Sequence, residues 1–160
     1  MKKIINVYDS IVTFENVYNA YNIVRKTCKN KHEIYKFNLN KNTNIYNIYQ
    51  SLLNRTYKPM PFRLFLIYEP KERLVMSQSI SDKIVNHFIS KYFLIPFLEK
   101  KLIDSNVATR KNKGSNYADK IFKDYINEIR IKEPSNDIYC LCLDISKYFY
   151  NINHNILFDK

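Results

Sequence analysis

A lone carboxylate closes an apolar run. In Leu141-Cys142-Leu143-Asp144-Ile145-Ser146-Lys147-Tyr148-Phe149-Tyr150, Asp144 follows small and branched apolar residues and an aromatic-rich segment starts at once. A charge at the end of a buried strand costs several kcal/mol unless something compensates it, and a metal ion is the strongest compensator. A carboxylate so placed can ligate Mg²⁺, with the backbone carbonyl of Ile145 as a second oxygen, because Mg²⁺ favours carboxylates, water and phosphate oxygens. Two such ions about 4 Å apart stabilise both the attacking and the leaving oxygen of a phosphoryl transfer. On spacing alone, capping the helix that follows is the plainer reading of the same Asp.

Three further groups carry possible chemistry. Lys71 and Arg73 stand two apart at the expected tip of a hairpin, where strand geometry projects both from one face. An ammonium point charge beside a guanidinium fork suits a triphosphate, although a solvated turn is the plainer reading. Arg110, Lys111 and Lys113 precede Gly114 and an expected helix start, an arrangement that suits a nucleic-acid backbone or else an exposed charge run. Phe149, on the same expected helix turn as Tyr148 and Tyr150, reads by itself as a core aromatic. His154 fits a helix surface better than a metal site.

These residues need elements to position them. Apolar spacing predicts a helix over 13–27 with Thr13 as its cap, a short helix plus loop over 29–43, and a helix over 44–54. Pro59 and Pro61 end that pattern, and Phe62 to Tyr68, a turn at Glu69-Pro70-Lys71-Glu72, and Arg73 to Met76 read as a β-hairpin. Ser81 is expected to cap a helix that Pro96 ends or kinks. A basic loop over 104–114, a helix from Ser115 and a turn at Pro134-Ser135-Asn136-Asp137 follow. Ile138 to Asp144 reads as a buried strand, apolar on both faces and therefore central in a sheet. No earlier element is an obvious neighbour for it, so the sequence reads as cut, with its partner strands expected beyond residue 160. Ser146 onward is expected to be helical.

Composition sets the outer limits. The chain has 160 residues, 46% of them hydrophobic, enough for one domain with a core. It holds 26 Lys and Arg against 15 Asp and Glu, a net charge of +11 that points to a polyanionic partner. No run is long and apolar enough for a membrane span, and no helix sets a cationic face against a broad apolar one, so no membrane partner is expected. Cys28, Cys140 and Cys142 form no disulfide pattern and fit a reducing, cytoplasmic setting, with Cys140 and Cys142 as small core residues. Gly114 is the sole glycine, which predicts a backbone position no other residue can hold, or a close approach by another chain.

Each signal is weak alone; their order is not. Tyr57-Lys58-Pro59, then Phe65 to Leu74, then Asp82-Lys83-Ile84-Val85-Asn86-His87, then Pro96-Phe97-Leu98-Glu99, then Arg110 to Gly114 with Ala118, and finally Leu143 to His154 together resemble the fingers and first palm motif of bacterial reverse transcriptases. The resemblance is to the retron, group II intron and diversity-generating retroelement types, and it runs from about residue 55 to the end of the chain. Lys83 stands where the family usually has Arg, and Ser115-Asn116 where it often has Thr-His.

The resemblance implies an α+β fold with an N-terminal helical extension (1–54), helical fingers bearing the hairpin (55–137) and the first strand and helix of an incomplete palm (138–160). It implies that Asp144 is the first catalytic aspartate and, with Ile145, a metal ligand. Phe149 resembles the steric gate under the sugar, Lys71 and Arg73 the pair that holds the incoming nucleotide, and Arg110, Lys111, Lys113 and Gly114 a loop near the template. Implied partners are an RNA template, a DNA or RNA primer, deoxynucleoside triphosphates and Mg²⁺. The family's Tyr-x-Asp-Asp motif and thumb are missing, and the sequence contains no Asp-Asp pair. One aspartate cannot hold two Mg²⁺ ions against their mutual repulsion, so these residues alone are expected not to polymerise DNA. The alternative is a non-catalytic RNA-binding module on the same fold.

Overall fold

A computed structural model describes residues 7–159. The chain forms two compact units, one up to Leu102 and one from Ile103 on, so the division runs through the expected fingers stretch. The fold is α+β: helices with one two-stranded antiparallel hairpin.

The first unit holds the core. Helix α1 (Val7–Ile11) leads into α2 (Phe14–Thr27), which starts at Thr13, whose hydroxyl accepts from the Asn16 amide at 3.2 Å. Asn30 opens α3 (Lys31–Leu39) in the same way. Helix α4 (Lys41–Leu53) begins three residues earlier than its apolar spacing indicates, so the loop expected before it shrinks to Asn40. The Asn44 side chain donates to the Phe37 carbonyl across that sharp joint at 2.9 Å. Val17, Ala20, Tyr21 and Val24 on α2, Ile34 and Phe37 on α3, and Ile45, Ile48 and Leu52 on α4 are all buried. Their three- and four-residue spacing puts one stripe of each helix inward.

Helix α4 ends in a paired carbonyl cap, with the Arg55 amide on Leu52 O and the Thr56 amide on Ser51 O. That cap requires the left-handed backbone usually given to glycine, and Arg55 adopts it at φ 57°. Its guanidinium lies over the Tyr8 ring, 5.1 Å from the centroid.

The hairpin is where the sequence places it. Strands β1 (Arg63–Ile67) and β2 (Arg73–Ser77) pair with Phe65 opposite Val75. Most of its side chains stay in water, and an Arg63–Glu33 contact ties its base to α3. Helix α5 (Ile80–Ile89) then returns to the core through Ile80, Ile84, Val85 and Phe88 and packs on α2. Its cap is Ser79, not Ser81. A wide π-turn over Ser90–Leu94 leads into α6 (Ile95–Leu98). Pro96 lacks an amide hydrogen for the ordinary ladder, and the wider turn just ahead of it carries the helical chain on to Leu98 instead of stopping it there.

The second unit has no buried residue among those described. It holds the basic loop, α7 (Ser115–Lys132), a turn at Pro134, an extended stretch, a 3₁₀ turn over Tyr148–Asn151 and α8 (His154–Phe158). Three expectations fail here. Ile138 to Asp144 is not a strand: Tyr139, Leu141 and Leu143 are at least 80% exposed. A strand exists only through a ladder partner, and none pairs with this stretch among the described residues. Cys140 and Cys142 are therefore exposed, not core. Finally, Ser146 does not start an α-helix. Lys147 takes a left-handed backbone at φ 51°, and the Asn151 side chain donates to the Ser146 and Lys147 carbonyls, closing a tight turn instead.

Candidate functional site

The candidate residues fall in both units. In the first, Lys71 and Arg73 lie at the hairpin tip, exposed, with side chains that make no hydrogen bond or ion pair among the described residues. Only Arg73 is in the ladder, opposite Ile67; Lys71 belongs to the turn, so strand alternation does not align the two as expected. Both cations are open to an anionic ligand, beside the carboxylates of Glu69 and Glu72 in the same turn.

The base of that hairpin is set by a residue to which the sequence reading gave no role. Asp82 is 5% exposed and is the buried charged side chain among the described residues. The Tyr57 hydroxyl donates to it at 2.5 Å, the Ser79 hydroxyl at 2.7 Å and the Met60 amide at 3.3 Å. In return the Ser79 hydroxyl accepts from the Asp82 amide at 3.1 Å, a reciprocal cap at the start of α5. Burial pushes the Asp82 carboxyl up, but the hydrogen bonds from Tyr57, Ser79 and the Met60 amide outweigh it and hold the group below the usual carboxylate range. Burial, with the Asp82 charge and hydrogen bond, pushes the Tyr57 phenol well above its ordinary value. The signal for this network is in the sequence: Ser79 and Asp82 have the spacing of a capping box, with Tyr57 and Pro59 just ahead of the hairpin.

In the second unit, Asp144 is exposed and its carboxylate has no hydrogen bond or ion pair among the described residues. It caps no helix, so the capping alternative does not hold. A carboxylate and a backbone carbonyl, the donors Asp144 and Ile145 offer, are oxygen ligands of the type Mg²⁺ takes, with water and phosphate oxygens completing its shell. Among the described residues no cluster of three or more His, Cys, Asp or Glu side chains surrounds a cation position. Phe149 is 81% exposed on the 3₁₀ turn and meets Tyr148 edge to face at 5.3 Å, so it is not a core residue. Cys140 and Cys142 sit side by side, and the Cys142 charge and hydrogen bond push the Cys140 thiol up, away from the reactive thiolate.

The basic loop uses much of its charge on itself. Arg110 donates to the Ile103 and Asn106 carbonyls at 2.8 and 3.0 Å. Lys113 reaches the Asp104 carbonyl at 3.0 Å and its carboxylate at 3.1 Å, and lies 5.2 Å from the Tyr117 ring centroid. Lys111 is exposed and holds no such contact. Gly114 is extended at φ −170°, a backbone any residue adopts, and a Cβ there would meet nothing within 4 Å. Neither its conformation nor its surroundings require glycine. No protein-family model matches the chain, and no curated protein matches it.

Proposed function

We propose that the chain carries the fingers and first palm motif of an RNA-directed DNA polymerase of the bacterial reverse transcriptase kind. The observation that carries this reading is the ordered series of blocks from Tyr57 to His154, ending in an aspartate that is exposed and unpartnered. In this reading Asp144, with the Ile145 carbonyl, ligates Mg²⁺, which lowers the cost of charge developing on phosphate oxygens. Lys71 and Arg73 hold the triphosphate of a deoxynucleotide, Phe149 packs under its sugar, and Lys111, with Arg110, Lys113 and Gly114, faces the template. Such catalysis is mostly positioning and electrostatics. The 160 residues hold no Asp-Asp pair, so they do not complete the two-metal centre and by themselves incorporate no nucleotide.

Titration of the chain with a deoxynucleoside triphosphate and Mg²⁺, followed by ligand-observed NMR, tests the reading. Lys71→Ala with Arg73→Ala is expected to weaken binding about tenfold or more, since each removes a charge-assisted hydrogen bond. Binding unaffected by that double change would overturn it. The charge of +11 favours the non-catalytic RNA-binding module as a second reading; RNA binding without any nucleotide binding would select it.

A further inference from the structure

We propose that a groove between the start of α2 and the first turn of α4 binds one unstacked nucleotide of a single-stranded nucleic acid. The groove has a volume of about 490 Å³ and is lined by Phe14, Tyr18, Asn42, Thr43 and Tyr46. That size suits a ligand as large as a nucleotide. Its walls are aromatic rings held in water: Phe14 is 41% exposed and Tyr46 52%, whereas Tyr21, on the same helix α2, is 1% exposed. Phe14 and Tyr18, one helical turn apart, have centroids 6.2 Å apart, and Tyr49 braces Phe14 edge-on at 6.1 Å. The rings are thus fixed by neighbours while part of their surface stays uncovered. Such rings stack on any base.

The polar groups at the rim match the rest of a nucleotide. The Asn42 and Thr43 side chains have no hydrogen-bond partner among the described residues and can meet the edge of a base. The Lys41 ammonium lies 5.7 Å from the Tyr18 ring centroid and is in no ion pair among the described residues. The first turn of α4 carries no acidic residue, so a phosphate beside Lys41 meets no opposing charge from that turn. The net charge of +11 favours the same ligand at long range. The site does not depend on polymerase chemistry and would stand if the chain bound no deoxynucleoside triphosphate.

The test is fluorescence anisotropy of labelled single-stranded RNA and DNA oligonucleotides, with a duplex for comparison and thermal melting of every variant. Single strands are expected to bind more tightly than the duplex, and Tyr46→Ser to weaken them about fivefold or more. Tyr46→Phe keeps the ring and should keep the affinity. Asn42→Asp separates binding from folding: an acid in the first turn of a helix favours the fold, so melting should hold or rise while affinity falls about fivefold. Asn47→Asp, the same charge change on α4 outside the groove, should change affinity less than about twofold. A preference for RNA or for DNA identifies the strand and supports the site either way. Equal losses in Asn42→Asp and Asn47→Asp, or unchanged affinity in a folded Tyr46→Ser, would overturn it.

Discussion

Asp82 and Asp144 show how differently one residue type behaves once burial is known. The sequence directs attention to Asp144, because an apolar run precedes it. In the structure that run lies in water, and the charge that pays for burial is Asp82, matched by a phenol, a hydroxyl and an amide. Removing a buried acceptor leaves its donors unsatisfied, so Asp82→Ala is expected to destabilise the first unit by about 3 kcal/mol, measured by urea unfolding. The sign of the pH effect follows from the depressed carboxyl. A group whose folded value lies below its unfolded value contributes stability that is complete above the unfolded value and lost as pH falls through the folded one. Acid should therefore weaken the native chain through this group, and Asp82→Asn should remove that part of the acid dependence. The capping pattern was legible in Ser79 and Asp82; the competing Ser81, two residues on, obscured it because both serines precede apolar residues at helical spacing.

Elements were legible in proportion to how local their causes are. The helices α2 and α7 follow from spacing and a starting residue, since each backbone hydrogen bond closes within four residues. The hairpin follows from Pro59, Pro61 and the Glu69-Pro70 turn, with strands that need only each other. Ile138 to Asp144 has strand composition but depends on a partner that composition cannot supply, so its fate was not legible. The loop before α7 was read correctly as basic, yet its inward bonds were not, because carbonyls such as those of Ile103 and Asn106 become targets only when the chain turns. Gly114 is a sharper case. It looked indispensable by its rarity, but its extended backbone and open surroundings impose nothing. Gly114→Ser is thus expected to leave α7 intact, or to raise its helix content slightly through a better cap, as read by circular dichroism. A marked loss of helicity would mean that something outside the described contacts presses on that position.

At the scale of the whole chain, the first unit is held by a buried helical core while the second buries nothing among its described residues, so the two differ in what keeps them folded. No helix among the described residues is long and apolar enough to cross a membrane. The charge of +11 is the property that spans both units, and its consequence depends on where the cations are committed. Arg110 and Lys113 satisfy carbonyls of their own loop, whereas Lys71, Arg73, Lys111 and Lys41 hold no salt bridge among the described residues. Free cations near phosphates release condensed counterions on binding, and each contact to a single strand adds about 0.7 to the slope of log affinity against log salt. RNA affinity of the intact chain should therefore fall steeply between low and physiological salt. Lys111→Gln should flatten that slope by about one contact, while Lys113→Gln should act first on the loop, lowering its order with a smaller change in slope. Binding titrations over a salt series measure both. A slope near zero would show that the surplus charge meets no phosphate, and would remove the support that charge gives to every nucleic-acid reading of this chain.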